Sequence, residues 1–185
     1  HVKGNRDAKI TIVEFSDTEC PFCKSVHTAL DQIVEKYDGQ VAWVYRHMPL
    51  TQLHKKAVIE AHATECAAEQ GGNDGFWAYT DRLYSVTPSN DGLNLAELPN
   101  IAEFAGLDRA EFETCMAEER HLSSIEEDFQ EGVATASGVS PDGRYGTPFS
   151  VIITEDGQRI PVSGVSRTNE LGKWEDLIDG LLATE

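Results

Sequence analysis

The stretch that decides the fold is Phe15-Ser16-Asp17-Thr18-Glu19-Cys20-Pro21-Phe22-Cys23, in which a short polar connection links the end of a predicted strand to a closely spaced cysteine pair. Residues 10–16 predict a strand with apolar side chains on both faces, as in a central strand that helices cover on each side. Apolar positions between residues 26 and 37 recur every three or four residues and predict a helix that begins at or near Cys20. Residues 41–45 predict a second strand, which completes a βαβ unit.

The middle of the chain differs from its two ends. It is rich in Ala, Glu and Leu and predicts helices near residues 54–70, 76–86, 95–105, 109–118 and 121–136. A loop over 138–146 leads to two strands, 149–154 and 159–163, joined by a hairpin turn, and a last helix over about 168–183. We therefore predict an α/β domain formed by residues 1–50 and 138–185, with residues 51–137 inserted as an all-helical subdomain.

Length and charge exclude several classes of protein. The 185 residues are 40% hydrophobic and 25% charged, which is ordinary for one globular domain. Fifteen Lys and Arg against 32 Asp and Glu give a formal net charge of −17, which would repel phosphate backbones, so we expect no nucleic-acid partner. No apolar run approaches the roughly 18 residues of a membrane-spanning helix, so we expect no direct membrane insertion of this chain.

The Cys20-x-x-Cys23 pair has three chemical interpretations: half of a zinc site, a structural disulfide or a redox pair. Zinc needs four ligands, and the sequence offers no second Cys/His knuckle of similar spacing, so we expect no metal. A disulfide this short removes little entropy from the unfolded chain. A redox pair fits best, because the free N–H groups and the positive dipole end at a helix N-terminus stabilise a thiolate. Cys20 would be the exposed nucleophile and Cys23 the resolving thiol inside it.

Several motifs together resemble the DsbA-like branch of the thioredoxin superfamily. They are residues 15–23, residues 146–148 (Gly-Thr-Pro), residues 45–50, residues 65–70 and the pair Phe76-Trp77. The resemblance covers nearly the whole chain, including the helical insertion. It implies a thioredoxin fold and thiol–disulfide exchange with protein substrates, without a bound cofactor.

The same resemblance assigns roles near the pair. It implies that Thr147-Pro148 is a cis-proline loop facing the cysteines, and that Pro21, Phe22, Thr147 and Pro148 contact the substrate. The strongest oxidants of the branch have His at the position of Phe22. Since this chain lacks that imidazole, we expect a pKa of Cys20 below that of a free thiol but above that of the most acidic relatives.

Glu14 occupies the position at which relatives hold a buried acid beneath the pair. Burial would raise the pKa of this carboxyl, which could then accept or deliver the proton of Cys23. The alternative is a glutamate at a solvated strand edge. His27 follows Cys23 by one helical turn, and we expect it to be a partly exposed residue of the helix face; the alternative is that it tunes Cys23.

Cys66 and Cys115 lie on different predicted helices of the insertion. A disulfide between them would close a loop of about 50 residues and contribute about 4 kcal/mol of stability. Two buried free thiols or a second redox relay are the alternatives. An even number of cysteines suits an oxidising compartment, although four cysteines allow three pairings.

We therefore predict a thiol–disulfide oxidoreductase, most simply an oxidase that supports extracytoplasmic disulfide formation. A reductase or isomerase, and a non-catalytic peptide-binding or chaperone module on the same fold, remain as alternatives. The expected partners are cysteine-containing protein substrates and a membrane or soluble redox partner that resets the pair. The expected location is periplasmic or in the cell envelope, with any leader or anchor absent from this chain.

Overall fold

The computed structural model of the protein describes residues 1–166 and 168–183; residues 167 and 184–185 of the predicted 138–185 segment lie outside the described residues. Within these ranges the chain forms five strands and six α-helices. The strands are β1 (Val2–Gly4), β2 (Ile10–Ser16), β3 (Val41–His47), β4 (Phe149–Thr154) and β5 (Arg159–Ser163). The helices are α1 (Pro21–Lys36), α2 (Ala57–Val86), α3 (Leu98–Phe104), α4 (Arg109–Glu118), α5 (Leu122–Val139) and α6 (Glu170–Leu182).

β2 lies at the centre of a mixed sheet whose strand order is β1-β3-β2-β4-β5. It pairs in parallel with β3 and antiparallel with β4, while β1 and β5 pair antiparallel at the two edges. The prediction that residues 10–16 form a central strand is therefore confirmed. Because side chains alternate along a strand, Ile10, Ile12 and Glu14 point to one face of the sheet and Phe15 points to the other.

Helices cover both faces of this sheet. On the face of Ile12, buried side chains of α1 and α6, including Leu30 and Trp174, pack together with Trp43 of β3. On the opposite face, Phe15 packs with residues of α5. The approach of α5 is close, because a Cβ atom added to Gly132 would come within 2.8 Å of the Phe15 ring. Burial on both sides explains why β2 carries apolar side chains on each of its faces.

Helices α2 to α5 all come between β3 and β4 in the chain. α2, α3 and α4 enclose a second apolar core that includes Tyr79 and Phe112. In this core the structure joins Cys66 of α2 to Cys115 of α4 in a disulfide, with their Cα atoms 5.8 Å apart. The bounds 51–137 of an inserted subdomain stay a prediction, because α5 follows these helices and yet packs on the sheet.

Three details of the predicted elements are corrected. The helices predicted at 54–70 and 76–86 are one helix, α2, interrupted only at Gly72, whose φ of 61° and ψ of −151° are not helical. Glycine tolerates this backbone conformation because it has no Cβ atom. The predicted loop over 138–146 begins later, since α5 continues to Val139. β1 was not predicted, because three residues are too few to establish an alternating pattern.

Among the described residues, no helix is both long enough and apolar enough to cross a membrane.

Removing the Cys66–Cys115 disulfide should lower stability without abolishing thiol exchange. The bond closes a loop over a sequence separation of 49 residues, so Cys66→Ser/Cys115→Ser should lose about 4 kcal/mol of unfolding free energy on the chain-entropy estimate. Urea unfolding of unreduced protein measures this loss, and peptide mapping by mass spectrometry should find the linked pair. Wild-type protein whose disulfides have been reduced is the control. An unchanged unfolding midpoint, or a link from either residue to Cys20 or Cys23, would contradict the structural role.

Candidate functional site

The cysteine pair lies in the short connection between β2 and α1. Cys20 is the residue immediately before the helix, and Pro21 is the first helical residue. The N–H group of Cys20 donates to the carbonyl of Asp17 over 3.0 Å, which turns the chain into the helix. The first N–H groups of a helix have no partners within it and carry its positive dipole end. The sulfur of Cys20 therefore lies where a negative charge is stabilised.

The two sulfurs of the pair have opposite acidities. The pKa of Cys20 is lowered to about 6, chiefly because the Cys23 thiol donates a hydrogen bond to its sulfur, with smaller contributions from backbone N–H groups of Cys23 and Phe22. Burial raises the pKa of Cys23 well above its usual range, and the charges of Cys20 and Glu14 add to this effect. At neutral pH the arrangement favours a thiolate at Cys20 and a thiol at Cys23.

The prediction that Cys20 is exposed is wrong. Its exposed fraction is 5%, and that of Cys23 is zero. The sulfur of Cys20 is partly covered by the loop before β4, because it donates to the carbonyl of Thr147 over 3.6 Å. The exposed part of the site is its rim, since Pro21 is exposed and Phe22 shows 43% of its surface to solvent.

The segment Thr147-Pro148 lies against the pair, 127 residues further along the chain. Its peptide bond is cis. Pro148 is buried and precedes β4, whereas Thr147 is half-buried and its carbonyl reaches Cys20. The structure thus brings together Cys20, Cys23 and this segment, as the resemblance implies.

Glu14 is completely buried on β2, on the face that α1 covers. Pairing of β2 with strands on both sides is incompatible with the alternative of a solvated edge. One carboxylate oxygen, Oε2, accepts a hydrogen bond of 3.0 Å from the indole Nε1 of Trp43, and the other has no partner among the described residues. Burial raises the pKa of Glu14 to about 8, although hydrogen bonds from Ser16 and Trp43 oppose the shift. Glu14 is therefore mostly protonated at neutral pH.

The prediction that His27 is partly exposed is also wrong. Its exposed fraction is 5%, and its Nε2 atom lies 2.7 Å from Oδ1 of Asp81 on α2. The ring packs edge-on against Trp43 and also contacts Tyr84. His27 is enclosed because α2 covers this part of α1, a contact between residues 54 positions apart in the chain.

A buried polar group within the β2–α1 connection was not found from the sequence. Asp17 accepts hydrogen bonds from the N–H groups of Glu19 and Leu50, at 2.9 and 2.8 Å, and contacts Nδ1 of His54 at 2.9 Å. It therefore ties the cysteine loop to the segment after β3. The one local signal was the aspartate two residues before Glu19, a spacing typical of an Asx turn.

A second buried acid, Glu60 on α2, was likewise not found. Its exposed fraction is zero, and burial together with the neighbouring Glu19 raises its pKa to about 9. Glu19 directly precedes Cys20, so a largely neutral carboxyl lies near the pair on the side of α2. Nothing in the helical pattern of residues 57–64 distinguished this glutamate from a solvated one.

Cys66 and Cys115 are not part of this site, because they lie in the core of the helical insertion while Cys20 and Cys23 lie in the core beneath α1. Potential metal ligands do converge around Cys115: one group is His62, Cys66 and Cys115, and the other is Glu69, Cys115 and His121. Within residues 1–166 and 168–183, neither of these groups includes a cysteine of the active pair.

The sequence of this chain matches a known protein family and a group of longer curated proteins. Residues 1–141 match the family described as Thioredoxin. The chain is also 38% identical over 148 residues to Na(+)/H(+) antiporter NhaA 3 of Salinispora tropica, a match that covers 80% of this chain and 21% of that protein. The chain spans about a fifth of the length of the curated relatives it matches.

Comparison with solved structures extends the likeness to nearly the whole chain. DsbA2 of Pseudomonas aeruginosa is 29% identical with a TM-score of 0.72, and the match covers 96% of this chain and 92% of that one. A thioredoxin-like oxidoreductase of Silicibacter pomeroyi is 26% identical with a TM-score of 0.72, over 97% and 90% of the two chains. The predicted thioredoxin fold with a helical insertion is thereby confirmed. The chain belongs to the thioredoxin family, within its DsbA-like branch of thiol–disulfide oxidoreductases.

Proposed function

We propose that the protein is an extracytoplasmic thiol–disulfide oxidase that donates the Cys20–Cys23 disulfide to cysteine-containing proteins. The observation that carries this proposal is the unequal placement of the two sulfurs, one at a helix N-terminus and the other fully buried. Stabilising the Cys20 thiolate stabilises the reduced pair, and a stabilised reduced form makes the disulfide more oxidising.

The reaction begins when a substrate thiolate attacks the Cys20 sulfur of the oxidised protein. A bond forms between the substrate sulfur and Cys20, the Cys20–Cys23 bond breaks, and Cys23 leaves with the electron pair. A second substrate thiolate then attacks the substrate sulfur of this mixed disulfide. The substrate becomes a disulfide, and Cys20 leaves as the thiolate that its position stabilises. Two electrons have passed from the substrate to the pair.

Glu14 is suited to supply the proton that this first step needs. Cys23 leaves as a thiolate in a buried environment that strongly favours its thiol form. The carboxyl of Glu14 is mostly protonated at neutral pH, and when it is ionised its charge raises the pKa of Cys23. Proton transfer from Glu14 to Cys23 removes the charge from the leaving sulfur, and Glu14 is re-protonated from solvent afterwards.

The loop of Thr147 and Pro148 is proposed to hold the substrate. When reduced Cys20 carries its proton, the Thr147 carbonyl accepts a hydrogen bond from this thiol. In the oxidised protein Cys20 carries no S–H group, so this carbonyl is free to accept from a backbone N–H group of an extended substrate segment. Pro21 and the exposed ring of Phe22 form the apolar rim beside it.

A membrane or soluble redox partner must then remove the two electrons and restore the Cys20–Cys23 disulfide. A reductase or isomerase would use the same residues with a lower reduction potential. The chaperone alternative is less well supported, because peptide binding alone does not require two sulfurs of opposite acidity beside the Thr147-Pro148 segment.

Cys23→Ser should accumulate mixed disulfides between Cys20 and substrate thiols, because the resolving sulfur is absent. Non-reducing gel electrophoresis with a cysteine-containing model protein, followed by peptide mapping, measures the trapped species. Cys20→Ser is the matched variant and should trap little, since the remaining sulfur is buried and non-nucleophilic. Equal trapping by the two variants would contradict the assignment of Cys20 as the attacked sulfur.

Glu14→Gln should alter the pH dependence of stability in the reduced protein. Glu14 has a folded pKa of about 8 against an ordinary value of 4.5. The folded state therefore holds a proton that the unfolded state loses, and the resulting stability is complete below about pH 4.5 and is lost as the pH rises through about 8. Glutamine cannot ionise, so across this window the free energy of unfolding of the variant should rise by up to about 5 kcal/mol relative to that of wild type.

Urea unfolding at intervals from pH 5 to 9 measures the difference between the Glu14→Gln variant and wild type. Glu155→Gln, at the exposed turn between β4 and β5, is the control and should follow the wild-type curve. If the Glu14→Gln curve stays parallel to that of wild type, Glu14 does not hold the proton that the proposed mechanism requires.

A further inference from the structure

The Cys66–Cys115 disulfide is surrounded by side chains that the proposed exchange reaction does not use. His62 precedes Cys66 by four residues on α2, so both side chains lie on one face of the helix. The exposed fraction of His62 is 3%, and its Nε2 atom is 3.5 Å from Sγ of Cys66. A buried imidazole nitrogen thus points at a buried sulfur.

The other sulfur of this disulfide faces a second polar group. Sγ of Cys115 lies 3.8 Å from Oε2 of Glu69, and the same carboxylate oxygen is 2.8 Å from Nε2 of His121. The rings of His62 and His121 have centroids 5.9 Å apart. Two groups of three potential ligand atoms, each within 4.8 Å of one another, therefore share the Cys115 sulfur.

Two of these separations match those between the ligands of a tetrahedral zinc ion. With Zn–S near 2.3 Å and Zn–N or Zn–O near 2.1 Å, tetrahedral angles place a sulfur about 3.6 Å from a nitrogen or oxygen ligand. The corresponding distances are 3.5 Å from Cys66 to His62 and 3.8 Å from Cys115 to Glu69. The two sulfurs are bonded to each other in the disulfide and must separate to about 3.8 Å to bind one zinc ion. Glu69 and His121 belong to a different group from His62 and Cys66, so the fourth ligand must also move closer after reduction.

A route from solvent reaches this cluster. A surface cavity of about 470 Å³ is lined by Cys115, Glu69 and Arg120, among others. His121 and Arg120 both contact the carboxylate of Glu69. Partners of this kind orient a ligand in protein metal sites.

We propose that the protein, when Cys66 and Cys115 are reduced, binds a zinc-class divalent cation through His62, Cys66 and Cys115, with the fourth ligand from the pair Glu69 and His121. A disulfide cannot supply two thiolates, so the disulfide and the metal exclude each other. A dithiol reductant delivers two electrons and two protons to the disulfide and is itself oxidised to a disulfide. The cation then displaces the two thiol protons, because it binds the thiolate form.

This site combines Cys, His and Glu ligands from distant parts of the chain, so their spacing in the sequence does not reveal it. His62 and Cys66 are one helical turn apart on α2, whereas Cys115 lies 49 residues beyond Cys66 on α4. His62 and Cys66 thus have a short His-x3-Cys spacing, but Cys115 has no short spacing to either of them. The proposal does not rest on exchange at Cys20 and Cys23, since it concerns a different core of the molecule.

The test uses Cys20→Ser/Cys23→Ser as the background, so that the active pair cannot bind metal. This variant is reduced with a phosphine, incubated with zinc chloride, passed through a desalting column and analysed for bound zinc. Cobalt chloride is the spectroscopic probe, because thiolate-to-cobalt charge transfer and strong visible bands report tetrahedral sulfur ligation. The same variant with its Cys66–Cys115 disulfide intact is the first control.

In that background, His62→Ala removes one proposed ligand. It should weaken zinc binding at least about tenfold, the loss that even an outer partner of a metal ligand causes. Glu111→Gln is the matched control, because Glu111 lines the same cavity but belongs to neither ligand group. If His62→Ala does not fold, His62→Gln carries the test with a side chain of closer size.

The proposal expects one zinc per reduced chain, none in the disulfide form, a cobalt spectrum with thiolate charge transfer, and wild-type affinity in Glu111→Gln. It is overturned if the reduced chain retains no zinc, if the disulfide form binds equally, or if the substituted His62 variant keeps the full affinity. A failure here would leave trapping at Cys20 unaffected, and the two proposals are therefore tested separately.

Discussion

The hydrogen bond that the buried Cys23 thiol donates to Cys20 is the interaction on which the site depends. It has a direction because the two sulfurs occupy different environments: Cys20 precedes the first turn of α1, and Cys23 lies one turn further, inside the core. Water is excluded from Cys23, so ionisation there is costly, whereas the free N–H groups of the helix favour charge at Cys20. The start of helix α1 at this point in the chain therefore also separates the pKa values of the two thiols.

The rest of the fold maintains this separation. The central strand β2 ends directly before the loop of the pair, and its neighbours hold it on both sides. Asp17 ties the loop to the segment after β3 through His54 and the N–H group of Leu50. The segment before β4 brings the carbonyl of Thr147 to Cys20. Three connections that are distant in the chain thus meet at one end of the sheet.

The local features of this molecule could be predicted from the residue pattern, whereas the burial of several side chains by distant segments could not. The apolar residues within 10–16 and the helical spacing after Cys20 are patterns contained within single segments. Both predictions are confirmed. The burial of His27 and of Cys20 depends on Asp81 and Thr147, which lie 54 and 127 residues away. Burial, together with the neighbouring Glu19, raises the pKa of Glu60, and no periodicity in the sequence reveals that packing. The resemblance to the DsbA-like branch identified Glu14 and Thr147-Pro148 as candidates, but their burial and hydrogen bonds depend on the packing of the whole fold.

The reduction potential of the Cys20/Cys23 couple tests the central claim most directly. It is measured by equilibrating the protein with glutathione buffers of known ratio and counting free thiols at Cys20 and Cys23. If the unequal environments stabilise the reduced pair, the potential should lie clearly above that of thioredoxin, about −270 mV, and toward that of DsbA, about −120 mV. A potential at or below that of thioredoxin would show that the reduced pair is not stabilised, and would contradict the proposed oxidase.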